Sequence, residues 1–164
     1  MARSPHPEIT LRRTARSDIE FLHSLELDGE SNLRAGTKPR DWETFRARWE
    51  QILADPDGAI TGVTPRVICA GGTVVGAVNI SPDQGVDSIG YWIARDHWGR
   101  GIATTAVALM LREFTRRPLV ATAAGHNVAS IRVLEKNGFV ITSRCQTPET
   151  ARTLPRETVT LMLR

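Results

Sequence analysis

The spacing of apolar side chains divides the first third of the chain into a strand and two helices. Residues 8–14 alternate between apolar and polar side chains, which is the period-two pattern of a half-buried strand. A helix follows, with Ser17 and Asp18 available to cap it. Residues 28–40 are rich in turn formers and charge, and they predict a long loop or a short irregular helix. A second helix follows Asp41, and its apolar stripe at helical spacing comprises Trp42, Phe45, Trp49, Ile52 and Leu53.

The remainder of the chain predicts further strands and two further helices. The strands are predicted over 67–70, 73–80, 86–94, 117–124, 139–145 and 157–163. The helices are predicted over 100–116 and 127–137, and Gly138 suits the left-handed position beyond the second of them. The resulting order, β-α-α-β-β-β-α-β-α-β-β, indicates a mixed sheet with helices in one domain spanning 1–164.

Composition is that of an ordinary globular domain, and it excludes several classes of protein. The 164 residues are 41% apolar and 24% charged, and no run has the length and apolarity of a signal peptide or a membrane span. Cys69 and Cys145 lack a CxxC spacing, which favours free thiols, a buried Cys69 and a reducing, cytoplasmic setting. The net charge of +3 comes from scattered arginines. Such scattered arginines are consistent with a solvated surface. The alternative is that they attract a polyanionic ligand or an RNA-rich particle.

The stretch RDHWGRGIATT (95–105) carries the clearest chemical signal. Gly99 and Gly101 flank Arg100 where a predicted strand ends and a predicted helix begins. The first N–H groups of a helix lack partners within it, and glycines let a bulky anion approach them. Arg100, and also Arg95, could add charge-assisted hydrogen bonds to phosphate oxygens. The pattern therefore favours a pyrophosphate site, the alternative being that the glycines only permit a tight turn.

Two longer stretches resemble a known family. YWIARDHWGRGIATTA (91–106) and GHNVASIRVLEKNGF (125–139) are similar to motifs of the Gcn5-related N-acetyltransferase superfamily, and to its RimJ/RimL-type ribosomal-protein branch in particular. The resemblance implies an α+β fold of three layers, with a mixed, mostly antiparallel sheet of about seven strands and about four helices. It also implies acetyl-CoA as co-substrate, no metal, and direct acetyl transfer to a primary amine within a ternary complex.

The resemblance further implies which residues bind coenzyme A. In that family the glycine-rich turn wraps the pyrophosphate, and an Asn and a Ser on the later helix face the ligand. N–H groups near Ile93 would polarise the thioester carbonyl, while Asn127 can also act as an N-cap. The coenzyme A-binding residues carried onto this chain are Ile93, Ala94, Trp98, Gly99, Arg100, Gly101, Ile102, Ala103, Thr104, Asn127 and Ser130.

The catalytic groups follow the family pattern only in part. Leu134 stands where many relatives carry a tyrosine as the acid, and Ser88 stands where many carry a glutamate. Ser130 is therefore the candidate acid that protonates the thiolate, and Glu157 is a candidate base. The carboxylates that could orient the incoming amine are Glu26, Asp28 and Glu30.

The acceptor and the partners stay open at this level. Residues 26–40 and 144–156 shape the acceptor site in the resembled branch, where a ribosomal-protein or peptide N-terminus is expected and a small amine is the other option. The remaining alternatives are a non-catalytic acyl-CoA-binding module and a nucleotide-binding oxidoreductase. The chain lacks both GxxxxGK[ST] and a GxGxxG followed by a ribose-binding acid. We expect a monomer or a homodimer, with no direct contact to nucleic acid or membrane.

Overall fold

A seven-stranded mixed sheet with helices on both faces forms the fold. The computed structural model describes residues 7–164, so the first six residues of the predicted domain lie outside the described part. The strands are β1 (Ile9–Arg13), β2 (Thr64–Ala70), β3 (Thr73–Asp83), β4 (Val86–Ile93), β5 (Leu119–Ala124), β6 (Val140–Thr147) and β7 (Arg156–Leu163). The helices are α1 (Ile19–Glu26), α2 (Gly29–Ala35), α3 (Trp42–Leu53), α4 (Ile102–Glu113) and α5 (Val128–Lys136). Within residues 7–164, no helix is long and apolar enough to cross a bilayer.

The strand order confirms the predicted mixed and mostly antiparallel sheet. The strands lie in the order β1-β2-β3-β4-β5-β7-β6. Neighbouring strands pair antiparallel throughout, except that β4 and β5 run parallel. A parallel pair needs a crossover, and here α4 supplies it.

The pairing between the parallel strands β4 and β5 is short, and the two strands diverge beyond it. The register of these two strands ends at Ser88 and Val120. Beyond that point β4 continues along β3 as far as Ile93, while β5 continues along β7 as far as Ala124. The two strands therefore separate towards their carboxyl ends. We call the gap between residues 89–93 of β4 and the end of β5 the opening.

Two apolar cores lie on the two faces of the sheet. Fully buried members of the core beneath α4 and α5 are Ile68, Ile80, Met110, Leu119, Leu134 and Leu161. The core beneath α1 and α3 contains Leu22, Leu25, Phe45, Trp49, Ile52 and Val67. The predicted apolar stripe of α3 is thus confirmed as core. Of the two free thiols, Cys69 is buried as predicted and Cys145 is exposed.

The segment predicted as a loop or short irregular helix contains a regular helix, α2, so residues 7–164 form five α-helices where about four were expected. Asp28 caps it, because the Asp28 carboxylate accepts hydrogen bonds from the N–H of Ser31 at 2.9 Å and from its hydroxyl at 2.7 Å. Gly36, with φ of 64°, ends it in the left-handed conformation. These local signals lie within a charged, turn-rich stretch that concealed them.

Several predicted boundaries shift for identifiable reasons. Helix α4 starts at Ile102 instead of residue 100, because Gly101 is its N-cap with φ of 75°. It ends at Glu113 instead of residue 116, since Phe114 is extended. Asp18 precedes α1 but makes no capping bond. Its carboxylate instead accepts hydrogen bonds from the two terminal guanidinium nitrogens of Arg12, each at 2.8 Å.

The contact between β3 and β4 makes a testable prediction at Gly76. A Cβ atom there would lie 2.2 Å from the carbonyl oxygen of Trp92. Because the strands must shift to relieve this overlap, we expect Gly76→Ala to lower the free energy of unfolding by about 1–3 kcal/mol. Thermal denaturation would show a Tm lower by about 2–4 °C for each kcal/mol. Gly90→Ala on β4 is the matched control, since a Cβ there meets nothing within 4 Å. Equal Tm values for the two variants would contradict this account.

Candidate active site

The opening brings together the starts of two helices. The chain leaves β4 at Ile93, passes through a short turn and enters α4 at Ile102. It leaves β5 at Ala124 and reaches the start of α5 at Val128. Both helices therefore direct their N-terminal ends, which carry partial positive charge, towards the same gap.

The turn before α4 presents a row of free main-chain donors. The first helical hydrogen bond runs from the N–H of Thr105 to the carbonyl of Gly101 at 3.1 Å. The consecutive N–H groups of residues 99–104 have no hydrogen-bond partner among the described residues. Gly99 and Gly101 have φ of 73° and 75°, and a Cβ on either would meet nothing within 4 Å. The glycines thus serve the turn conformation and leave open space beside the donors, an arrangement suited to a large anion.

The side chains at this turn have separate functions. The indole N–H of Trp98 donates to the carbonyl of Ile93 at 2.9 Å, and the Arg34 guanidinium lies 4.2 Å from the centre of the indole ring. Trp98 therefore fastens the turn to the end of β4. Arg100 is exposed, whereas Arg95, also considered for phosphate, lies 3.4 Å from the Asp28 carboxylate.

The last residues of β4 direct one main-chain donor into the opening. Ala94 donates its N–H to the carbonyl of Val75 at 2.8 Å, and its own carbonyl accepts the N–H of His97 at 2.9 Å. Residues of an antiparallel ladder alternate in the direction of their N–H groups. Ile93 therefore points its N–H away from β3 and towards the opening. Of the two predicted contact residues, Ile93 offers a donor, while Ala94 has both main-chain groups engaged.

The start of α5 contributes a capping amide and one hydroxyl, which meets a hydroxyl from β4. The side-chain oxygen of Asn127 accepts the N–H of Ser130 at 3.2 Å, so Asn127 is an N-cap whose amide nitrogen is left over. The Ser130 hydroxyl lies 2.7 Å from the hydroxyl of Tyr91, which also donates to the Ser130 carbonyl at 3.1 Å. Burial raises the pKa of Tyr91 to about 12, although its hydrogen bond to Ser130 opposes the shift. Sequence reasoning missed this contact, because Tyr91 and Ser130 lie far apart along the chain.

The candidate carboxylates are mostly engaged. Glu157 lies against Gly125 and pairs with Arg144 at 3.0 Å. Glu26 is buried and binds both Arg40 and Arg152 at 2.8 Å. Burial by itself would raise the pKa of Glu26, but the hydrogen bonds and charges of the two arginines hold this pKa below its usual value. The structure therefore places Glu26 in a buried ion-pair network with two arginines.

The two other acids of that region are also paired. Hydrogen bonds from Ser31 lower the pKa of Asp28, which caps α2, and Glu30 lies 3.4 Å from Arg34 on the same helix. Among residues 7–164 there is no group of three or more His, Cys, Asp and Glu side chains that could hold a metal ion.

Helix α2 lies across the opening. Near its end, the carbonyl of Leu33 contacts the Nε2 atom of His126 at 3.0 Å, next to the start of α5. Arg34 packs on Trp98 at the turn before α4, as described above. Beside α2 is a cleft of about 180 Å³ lined by Ser24, Leu25, Asp28, Ser31, Trp92, Ala94, Arg95 and Asp96. The buried indole N–H of Trp92 has no partner among the described residues, and it can only donate a hydrogen bond.

Comparison with protein families gives one clear result. The family described as "Acetyltransferase (GNAT) domain" matches residues 8–140 of this chain. This range includes the turn before α4, the opening and all of α5. A comparison with curated protein sequences gives no significant match.

Solved structures share the fold at low sequence identity. Spermidine N-acetyltransferase from Vibrio cholerae, in complex with CoA and spermine, is 18% identical with a TM-score of 0.78 over 94% of each chain. RimJ from Mycobacterium smegmatis, in complex with CoA-disulfide, is 23% identical with a TM-score of 0.71 over 94% of this chain and 81% of that one. The Salmonella typhimurium acetyltransferase that modifies the N-terminal serine of ribosomal protein L7/L12 is 17% identical, with a TM-score of 0.77 over 98% of this chain and 95% of that one.

The half-buried pair of hydroxyls on Tyr91 and Ser130 generates a prediction about pH. Tyr91 is the only tyrosine of the chain, so the absorbance of tyrosinate reports its ionisation alone. We expect a midpoint near pH 12 in the folded protein, against an ordinary value of 10.0. Because the folded pKa lies above the unfolded one, the neutral hydroxyl stabilises the fold fully below pH 10, and this contribution is lost as the pH rises towards 12.

Denaturant provides the control for this titration, because unfolding should return the midpoint to the ordinary value. Tryptophan fluorescence, recorded in parallel, reports whether the protein is still folded at each pH. A midpoint near 10 in protein that is still folded would contradict the burial of Tyr91 against Ser130.

Proposed function

Because the chain belongs to the family of acetyltransferase (GNAT) domains, we propose that it transfers an acetyl group from acetyl-CoA to a primary amine within a ternary complex. The observation that carries the donor assignment is the row of free N–H groups at residues 99–104. These groups are suited to the pyrophosphate of coenzyme A, and the exposed Arg100 can add a charge-assisted hydrogen bond. Membership of this family also argues against the alternative of a nucleotide-binding oxidoreductase.

The thioester arm would enter the opening between β4 and β5. Its amide groups have two polar partners there, the free amide nitrogen of Asn127 and main-chain atoms at the edge of β4. The N–H of Ile93 points into the same gap, where it can stabilise the negative charge that develops on the carbonyl oxygen during attack. The separation of the two strands thus serves both binding and chemistry.

Three proton movements accompany the transfer. The ammonium loses one proton to give the neutral amine, the attacking nitrogen loses a second as the C–N bond forms, and the thiolate gains one as the C–S bond breaks. The second proton released at nitrogen balances the proton that sulfur takes up. Ser130 is the proposed donor of that proton, because its hydroxyl lies in the first turn of α5 beside the opening. Tyr91 positions it, since a hydroxyl 2.7 Å away can replace the proton or turn the Ser130 hydroxyl towards the sulfur. Glu157, directly or through water, is the proposed acceptor of the proton that the ammonium loses.

The amine would approach from the side that α2 covers. Residues 26–40 and 144–157 meet there, and we call these two segments the acceptor wall. Main-chain hydrogen bonds join them, from Lys38 to Arg152 at 2.9 Å and from Leu154 to Gly36 at 3.0 Å. The cleft beside α2, lined by Asp28, Ser31 and Trp92 among others, adjoins this wall and leaves room for residues that follow a reacting α-amine. This room favours a protein or peptide N-terminus, as for the L7/L12 enzyme, over a simple polyamine.

The pyrophosphate assignment is tested at Gly101. Gly101→Glu should weaken coenzyme A binding by about 100-fold, as for the loss of two charge-assisted hydrogen bonds of about 1.5 kcal/mol each. Isothermal titration calorimetry with coenzyme A measures this change. Gly72→Glu is the matched control, because Gly72 is also left-handed, with φ of 84° and no atom near its Cβ position, but lies in the turn between β2 and β3. Equal affinities in the two variants would refute the site.

The role of Ser130 is tested by kinetics. Ser130→Ala should lower kcat by about 100-fold, the ordinary contribution of a positioned proton donor, with little change in affinity for coenzyme A. Release of thiol from acetyl-CoA with a panel of amines and peptides gives the rate. Ser143→Ala on the exposed strand β6 serves as the control. An unchanged kcat in Ser130→Ala would overturn this role, and tight binding without turnover by the wild type would favour a non-catalytic acyl-CoA-binding module.

A further inference from the structure

The acceptor wall carries a set of positive side chains that are almost all neutralised. Each of the following pairs with a carboxylate within 4.0 Å: Arg34 with Glu30, Lys38 with Glu149, Arg40 and Arg152 with Glu26, and Arg144 with Glu157. The remaining cation of these two segments is Arg156. Among the described residues, no carboxylate lies within 4.0 Å of its guanidinium.

Arg156 is half-buried and incompletely satisfied. One terminal nitrogen donates to the carbonyl of Ala35 at the end of α2. The Nε atom is buried and has no hydrogen-bond partner among the described residues. Burial lowers the pKa of Arg156 from its ordinary value. The side chain therefore bears a desolvation cost without an anion to offset it.

The position of Arg156 relates it to the acceptor side of the opening. Thr158, two residues further along β7, pairs with Ala124, the last residue of β5. Alternate residues of a strand share a face, so Arg156 and Thr158 lie on one face and Glu157 on the other. Glu157 contacts Gly125, while Arg156 contacts Gly36 at the end of α2, which lies across the opening. Arg156 is thus about two residues of strand, or roughly 7 Å, beyond the end of β5 on the face that α2 covers.

We propose that Arg156 binds a carboxylate carried by the acceptor, so that the preferred substrates are amines with a carboxylate a few bonds from the reacting nitrogen. A guanidinium presents a planar set of donors that matches a carboxylate in a bidentate manner. One terminal nitrogen is engaged by Ala35, and the second terminal nitrogen makes no hydrogen bond among the described residues, so it is the donor open to such a ligand. The Nε atom beside it is covered by the protein and likewise has no partner among residues 7–164. This inference rests on the proposed function, because it names the class of amine that the same site accepts.

The test uses three acceptors that differ only in charge. These are the peptide amides Ser-Glu-Ala-NH₂ and Ser-Gln-Ala-NH₂, and the free acid Ser-Gln-Ala, so that a side-chain and a terminal carboxylate are distinguished. Thiol release from acetyl-CoA gives kcat and KM for each. We expect at least one anionic peptide to exceed the neutral amide by about 10-fold in kcat/KM, the value of one charge-assisted hydrogen bond, mainly through KM.

Variants then assign the preference to Arg156. Arg156→Gln should bring the ratio of kcat/KM for anionic over neutral peptides to near one, and Arg156→Lys should retain part of it. Arg48→Gln on α3 is the control for loss of charge, because Arg48 lies outside the acceptor wall and forms no ion pair within residues 7–164. It should keep the wild-type ratio.

The outcomes separate this inference from the proposed function. Wild-type protein that acetylates all three peptides equally contradicts the carboxylate preference and leaves the acetyltransferase function standing. Arg156→Gln that lowers Tm and reduces activity equally on every peptide shows a purely structural residue and also overturns the inference. Wild-type protein that acetylates neither these peptides nor any amine of the panel contradicts the proposed function and this inference together, whereas acetylation of uncharged amines alone contradicts only this inference. If Arg156→Gln does not fold, the wild-type ratio and the Arg156→Lys variant decide.

Discussion

The separation of β4 from β5 is the constraint on which the candidate site depends. These strands pair only as far as Ser88 and Val120, and each then follows its antiparallel neighbour. Had the parallel ladder continued, the N–H of Ile93 would have bonded to β5, and no ligand could pass between the strands. The same separation gives α4 and α5 a common space at their N-terminal ends. A main-chain donor, an anion site and two hydroxyls consequently meet at one place.

The surroundings of the opening are held by buried charge as well as by apolar packing. Glu26, near the end of α1, binds Arg40 and Arg152 at 2.8 Å and so joins the two segments of the acceptor wall. Breaking such a pair by removing one partner leaves a buried charge unpaired, which is costly. Arg156 is the exception to this neutralisation, and the exception is what gives the acceptor wall an unused capacity for an anion.

The chemistry proposed for the site depends on Ser130 and Tyr91, because this chain has no tyrosine at position 134 of α5. Leu134 is a buried core residue, so no hydroxyl extends from that position of α5. The hydroxyl at the opening belongs to Ser130, one turn earlier, and Tyr91 of β4 lies against it. A buried tyrosine with a raised pKa stays protonated throughout the physiological range and acts as a stable partner. The structure thus places a tyrosine beside the opening from a strand instead of a helix.

The sequence by itself determined the features that arise from neighbouring residues. The order of strands and helices along the chain, the turn with Gly99 and Gly101, the cap at Asn127 and the end of α5 at Gly138 all rest on side-chain periodicity, dihedral angles and hydrogen bonds within a few residues. Helix α2 belongs to the same class, since Asp28, Ser31 and Gly36 mark its ends, although its charged composition indicated a long loop or a short irregular helix. Tertiary structure alone decided the contact of Tyr91 with Ser130, the neutralisation of Glu26 and the isolation of Arg156. Each of these depends on side chains brought together from distant parts of the chain, and local periodicity carries no information about such pairs.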